Sequence, residues 1–321
     1  MANFNRHEKA PSAHCIATAG LVLLASFTVL AQELPGEYQD VLALLERKGD
    51  FKDKVFKLNI PRNDLQVSIA GIATPTPFGF GGWLAMTKGD GGKEVMMGDL
   101  VLLEDEVNPV MSALLDNGLE VTALHNHFFW ESPRIFYMHV HGYGSAAELA
   151  RKVKPALDLI GHVKPSESRA GSDSSNAVSR AINTVMTAGK LDIDKLAKII
   201  GYNGERNGPV YKITIGRPDI DLREMGALIN ARMGLNTWAA FIGSDEKAAV
   251  AGDVAMLENE VTPVLKALRR NGLNVVAIHH HMTGARPMII FLHYWGIAPA
   301  ENLAKGFKAT LDELGKGDAM H

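Results

Sequence analysis

The stretch GDLVLLEDEVNPVMSALLDNGLEVTALHNH, beginning at Gly98, returns at Gly252 as GDVAMLENEVTPVLKALRRNGLNVVAIHHH. The match continues without a gap through Leu157-Asp158 against Leu311-Asp312. Upstream it resumes after a single inserted residue, pairing Trp83 with Trp238 and VFKLNIPRND (from Val55) with VYKITIGRPD (from Val210). A chain written this way has to fold the same unit twice, so the duplication limits the architecture more than any local propensity does. Copy one spans residues 37–161 and copy two residues 191–315, each the size of a small domain. Residues 162–190 lie between them. VKPSESRAGSDSSNA there, rich in serine and charge, reads as a flexible linker, and AVSRAINTVM after it as a connecting helix.

Within a copy the order of elements is legible. Val55 to Ile60 alternates as a strand, GGWLAMTK around Trp83 is a second, and MMGDLVLL from Met96 a third. Asp105 is placed to cap a helix carrying Val107, Val110, Met111 and Leu114 on one face, with Pro109 in its first turn. Asn117-Gly118 ends it, because a left-handed residue is wanted there. Two strand-like runs follow, and Ser145-Ala-Ala-Glu148 forms a capping box before a helix with the stripe Leu149, Val153, Leu157 and Ile160. The expected fold is therefore α+β: two tandem copies of a ferredoxin-like unit, an antiparallel sheet with helices on one face. Its missing edge strand is expected from Val55 to Ile60 or from the other copy.

Residues 1–31 form a separate segment. Arg6 and Lys9 precede the apolar run Ile16 to Leu30, and Val29-Leu30-Ala31 offers a cleavage point, the pattern of an export signal peptide. The run is short for a bilayer span, so the mature chain is expected to be periplasmic or secreted, with no membrane span after signal cleavage. The only cysteine, Cys15, lies ahead of that run, which leaves the mature chain without disulfides or thiolate ligands. A formal net charge of -3 gives no basic field for a nucleic-acid partner.

The histidines concentrate in the two strand pairs. VTALHNHFFWESPRIFYMHVHG, from Val121, carries His125, His127, His139 and His141; VVAIHHHMTGARPMIIFLHYWG, from Val275, carries His279, His280, His281 and His293. Residues two apart in a strand share a face, so each His-x-His pair looks one way. With the turn centred on Glu131-Ser132, His125 is expected opposite His139, with His127 and His141 diagonally near. Copy two keeps three of the four as His279, His281 and His293; Trp295 stands in place of the fourth, and His280 points to the opposite face. Three imidazoles with an open position suit zinc, copper or non-haem iron, and Met138 or Met282 beside them would lean toward copper. Carboxylates common to both copies, Asp99/Asp253, Glu104/Glu258 and Glu106/Glu260, are candidates to complete a shell or to act as a base. Helix capping competes with that role for the glutamates, and hydrogen-bonded packing competes with ligation for the histidines.

Other signals are discarded. His125-Asn126-His127 spells the letters of the HNH nucleases, whose residues are not contiguous. The glycines of FGFGGW and GDGG lack the Lys-Ser/Thr and helix of a phosphate loop, and no Gly-x-Ser-x-Gly elbow is present. The repeated block, the Pro133-Arg134 step, the strand ending at His139 and the Ala-Glu-Leu-Ala helix resemble the LppY/LpqO family, exported bacterial proteins built around a tandem domain of unknown function. That resemblance covers both copies and implies tandem organisation and a secreted or surface location; it brings no activity and no catalytic residues. Lipidation, suggested by some members, does not suit the position of Cys15. The residues themselves point first to a binding module whose histidine-lined hairpins take a divalent metal or a small polar ligand, as two similar sites near an internal pseudo-twofold axis or as one shared cleft. A metal-dependent enzyme, hydrolytic or oxygen-handling, with Glu106 or Asp99 moving protons, is the alternative, and an interaction scaffold with structural histidines the third.

Overall fold

The computed structural model describes residues 33–162 and 190–316; the signal-like segment, nearly all of the linker and the helix expected over AVSRAINTVM lie outside the described residues. Copy one runs α1 (Gly36–Leu45), β1 (Gly49–Lys52), β2 (Val55–Pro61), β3 (Val67–Ile69), β4 (Ile72–Thr74), β5 (Gly81–Lys88), β6 (Glu94–Leu103), α2 (Glu104–Asp116), β7 (Glu120–His125), β8 (Glu131–Ser132), β9 (Ile135–Gly144) and α3 (Ala146–Leu157). Copy two repeats this as α4 (Ile193–Ile200), β10 (Glu205–Asn207), β11 (Val210–Gly216), β12 (Arg223–Glu224), β13 (Ala227–Leu228), β14 (Asn236–Gly243), β15 (Ala248–Met256), α5 (Val261–Arg270), β16 (Asn274–His279), β17 (Ile290–Ala298) and α6 (Ala300–Leu311). The strand orders are β1-β2-β5-β6-β9-β7 and β10-β11-β14-β15-β17-β16, and each neighbouring pair is antiparallel.

The α+β fold is as expected, with one change of detail. The edge place beside β6, which a ferredoxin-like unit gives to its last strand, is taken by the Trp83 strand β5 from the same copy. Val55 to Pro61 lies one strand further out.

Alternation along the strands sorts the layers. Phe56, Leu58, Ile60, Leu84, Met86, Leu100, Met138 and Val140 face the helices and join Val41, Val110, Leu114, Leu149 and Val153 in one core. Copy two builds the equivalent core from Ile213, Phe241, Val250, Leu268, Leu292, Leu303 and Phe307. The opposite sheet faces pack on each other: Val101, Tyr137 and Phe128 meet Ala240, Ala251 and Trp295, while Ala85, Val95 and Met97 meet Leu222, Ile229, Ala255 and Phe291. The result is a helix–sheet–sheet–helix sandwich. This explains why β6 and β15 are buried along nearly their whole length and read as apolar runs rather than as alternating strands.

The copies also exchange arms. Val67, Ile69, Ile72 and Phe78 of copy one pack with Val210, Ile242 and Trp295 of copy two. Ala227, Ile229 and Met233 of copy two pack with Val55, Ala85 and Met97 of copy one.

Helix starts differ from expectation. The N-cap of α2 is Leu103 rather than Asp105, and the Glu106 carboxylate reaches back to accept the Leu103 N–H at 2.7 Å. Pro109 therefore falls in the second turn, where it removes an intrahelical bond. In copy two the matching segment is broken into a short 3₁₀ turn, Glu258–Glu260, ahead of α5. Ser145 does cap α3, its hydroxyl accepting the Glu148 N–H at 3.3 Å.

Candidate metal centre and its cleft

The β7–β9 pairing departs from the expected register. His125 lies opposite Tyr137, and His139 opposite Ala123, with a bulge at Thr122. The connection is not a tight turn: Glu131-Ser132 is drawn off to pair with β3, and Asn126 spans the base by donating to the Ile135 carbonyl at 2.7 Å. A displacement of two residues leaves each side chain on the face it had, so the histidines still look toward the second sheet. In copy two, His293 pairs with Ala277 and His279 with Phe291, the same register.

Of the two arrangements left open by the sequence, the structure shows the one in which the two sets meet. His125 stacks on His279 with ring centroids 3.7 Å apart and His139 on His281 at 4.0 Å, while His127 and His293 meet at a tilt with centroids 3.6 Å apart. Exchanging the copies maps each contact onto an equivalent one, so the cluster straddles a pseudo-twofold axis passing between His125 and His279. Aromatic rings back it on both sides: His127 lies on Tyr137 at 3.2 Å and His281 on Phe291 at 3.4 Å. Thr122 ties the halves together by donating to the His281 carbonyl at 2.6 Å.

Among the described residues, two triads, His125/His279/His293 and His139/His279/His281, place one ligating atom from each member within 4.8 Å of the others. Each triad draws on both copies and both include His279. At a tetrahedral centre with bonds of about 2.0–2.1 Å, ligand nitrogens sit roughly 3.3 Å apart, so the rings close by on the order of 1 Å to grip an ion.

The chemistry of the donors fits. Burial lowers His125 to about 4. It holds His127, His139, His281 and His293 well below the ordinary histidine range, reinforced by the neighbouring imidazoles. All are thus neutral, the form that ligates. His293 Nδ1 lies 3.3 Å from the Gly252 carbonyl and His125 Nδ1 3.4 Å from that of Asn126, which leaves Nε2 of each ring free. Nε2 of His139, Nδ1 of His281 and both nitrogens of His127 and His279 are likewise buried without a hydrogen-bond partner. An orphaned buried polar atom costs about 1–3 kcal/mol, so a concentration of them marks a group built to take a guest.

The other candidates are sorted by position. His141 stands apart from the cluster, its Nε2 3.1 Å from Glu224 and its Nδ1 3.6 Å from Glu120. Burial disfavours its charge, but the two carboxylates outweigh burial and raise its pKa. In copy two Trp295 and Asn274 occupy the matching positions. Met138 belongs to the helix-side core and Met282 to the inter-sheet core, so the lean toward copper has lost its basis in Met138. Glu106 is saturated: it pairs with Arg62 at 2.6 Å and accepts N–H groups from Leu103 and Gly161. Glu260 does the same with Arg217, Leu257 and Gly315. Glu104 and Glu258 are exposed at helix starts.

Asp99 and Asp253 are different. Each lies in a lateral row of its sheet, Trp83–Asp99–His139 and Trp238–Asp253–His293. Both are buried with one oxygen unpartnered, and burial raises Asp99 to about 8 and Asp253 well above its usual range. Asp253 lies 4.0 Å from both His281 and His293.

Trp83, Asp99, Trp238 and Asp253 of these rows line a cleft of about 880 Å³ between the sheets, reaching His127, His281 and His293. Gly234 sits at φ +100°, and a Cβ there would come within 3.2 Å of Trp83 and 3.5 Å of His281 Nδ1, so its lack of a side chain leaves indole and imidazole side by side. Sequence reasoning missed Lys57 and Lys212, which also line the cleft. The available signal was a lysine at the matching position of the same strand in both copies, on the face opposite Phe56 and Leu58.

The family described as Domain of Unknown Function (DUF1259) matches residues 39–159 and again residues 194–313. The chain belongs to that family. It carries two DUF1259 domains in tandem, and the histidine triads form where the two meet. No curated protein matches the chain. Two solved structures show a weak likeness. EtuB from Clostridium kluyveri is 10% identical over 83% of this chain and 91% of its own, with a TM-score of 0.20. The trimeric bacterial microcompartment shell protein PduB is 12% identical over 82% and 90%, with a TM-score of 0.19. Superposition that poor carries no argument about the DUF1259 pair.

Proposed function

We propose that the protein is an exported metal-binding protein of the LppY/LpqO type, in which the two DUF1259 domains jointly hold one divalent transition-metal centre. The observation that carries this reading is the set of buried, partnerless imidazole nitrogens supplied by both repeats. Imidazole donors without a thiolate favour zinc, copper(II) or iron(II) over softer-ligand chemistry. The N-terminal basic and apolar segment supports a periplasmic or secreted location. The test is elemental analysis of tag-free protein. Wild type is expected to carry zinc, copper or iron after dialysis, and His279→Ala, which removes the residue common to both triads, to lose at least tenfold in affinity. A metal-free wild type under every loading condition, or a His279→Ala protein that loads normally, would sink the reading.

A second reading, a metal-dependent enzyme, is favoured by the cleft that opens onto the histidines. A divalent metal there would supply Lewis acidity. Asp99, buried and shifted toward the protonated form, is the residue positioned to hold or release a proton beside His139. Turnover by the loaded protein that Asp99→Asn abolishes while metal content persists would separate enzyme from binding module.

A further inference from the structure

The cleft carries a second repeated feature. Lys57 Nζ lies 4.1 Å from the centre of the Trp83 ring, and Lys212 Nζ 4.0 Å from that of Trp238. Both lysines line the cleft. Among the described residues, neither ammonium group has a carboxylate within ion-pair distance. Lys57 donates to the Arg232 carbonyl at 3.4 Å, and the Arg232 guanidinium is itself engaged by Asp50. Burial, and for Lys57 also the repulsion of Arg232 and Lys212, pulls both lysines down to about 8, against the attraction of Asp50 and Asp99 on Lys57 and of Asp253 on Lys212, which leaves them mostly charged at neutral pH. Asp50, Asp99, Glu205 and Asp253 line the same cleft, none of them within ion-pair distance of either ammonium group.

Two cations held over indole rings, related by a pseudo-twofold axis and left without an ion pair among the described residues, can offer their charge to a partner with two negative charges. One face of each indole is already covered by an ammonium group, so charge rather than stacking is the dominant cue for recognition. The volume suits a small molecule, since ligand pockets run roughly 300–1,000 Å³.

We propose that the cleft binds a small dianion, a dicarboxylate or a phosphate, between Lys57 and Lys212 and in front of the histidine centre. The inference extends the metal-centre reading by naming what shares the cleft with the metal, and rests on it for that placement alone.

Titration calorimetry on the whole protein, metal-loaded and chelator-treated, with succinate, malonate and inorganic phosphate tests it. At least one probe is expected to bind with a Kd below about 1 mM, about tenfold more tightly than acetate, and to weaken as ionic strength rises from about 0.05 to about 0.5 M. Lys57→Met and Lys212→Met are each expected to weaken binding about tenfold, and Lys57→Arg to retain most of it. A preference between dicarboxylate and phosphate identifies the source of the charge; either supports the proposal. No binding by any probe, acetate binding as tightly as the dianions, or insensitivity to salt overturns it on wild type alone. So does binding that both methionine variants leave unchanged. Metal content read on the same samples separates the two ideas. A protein that loads metal and ignores dianions overturns this inference only, whereas one that takes dianions and never metal overturns the metal reading only.

Discussion

Four of the clustered histidines, His127, His139, His281 and His293, are buried and held neutral. In the unfolded chain they titrate near 6.5, so below that pH the unfolded state takes up protons that the folded state refuses. Their contribution to stability is complete above about 6.5 and falls as pH drops toward their much lower folded values, by about 1.4 kcal/mol per pH unit for each. Four together approach about 5 kcal/mol per unit, against a total stability of about 5–15 kcal/mol for an ordinary domain. Chelator-treated protein is therefore expected to unfold between about pH 6 and pH 4, with metal delaying the transition. Urea midpoints measured by tryptophan fluorescence at half-unit steps check this; a midpoint unchanged down to pH 4 would contradict it. His141 works in the opposite sense. Its raised pKa makes the contact with Glu224 and Glu120 strongest below the unfolded value and weaker as pH rises through the folded one.

Among the elements, the firmest local constraint is the clip that fastens strand β2 to helix α2. Arg62 and Glu106 are both almost wholly buried, and the guanidinium also donates to the Val101 carbonyl at 2.7 Å. Arg62→Met leaves a buried carboxylate without its cation and is expected to cost about 3–5 kcal/mol in urea unfolding, whereas Asp64→Asn, at the half-exposed end of the same network, should cost about 1 kcal/mol or less. Arg217 and Glu260 form the same clip in copy two, so Arg217→Met should behave alike. The sequence made α2, α3 and the five longest strands of the first copy legible because the duplicated blocks repeat the same apolar spacing, while α1 and the short strands β1, β3, β4 and β8 carry too little pattern to read. It also placed His125, His127 and His139 on one face, since parity along a strand is a local property. The register was not legible, because the Thr122 bulge and the capture of Glu131-Ser132 by β3 depend on contacts distant in the chain. Likewise, nothing in the spacing of Glu106 indicated the arginine that engages it.

At the scale of the molecule, the sequence counted the repeats and left open how they meet. Sheet stacks on sheet, so a face that reads as a polar histidine row in isolation becomes an interior. Of the two arrangements the repeats allowed, separate sites or one shared cleft, the triads fit the shared one, since each draws on both copies. A separated repeat, residues 33–162, exposes the face that carries Val101, Tyr137 and Met97 and lacks the donors of its partner. It is expected to self-associate or precipitate, and to bind metal at least tenfold more weakly per chain as a monomer than the tandem protein does. Light scattering coupled to elemental analysis measures both properties at once. A monomeric single repeat with full metal affinity would mean that the triads crossing the halves are not the ligands.

The exchanged arms have a consequence for how this molecule behaves in a dilute medium. Each half reaches across to complete the other, an arrangement that separate chains maintain only while they are concentrated enough to find one another. Covalent tethering replaces that search with a fixed local concentration, so the tandem chain should capture its guest as completely at nanomolar as at micromolar protein. Wherever encounters between copies are rare, carrying one's own partner keeps the two histidine sets together.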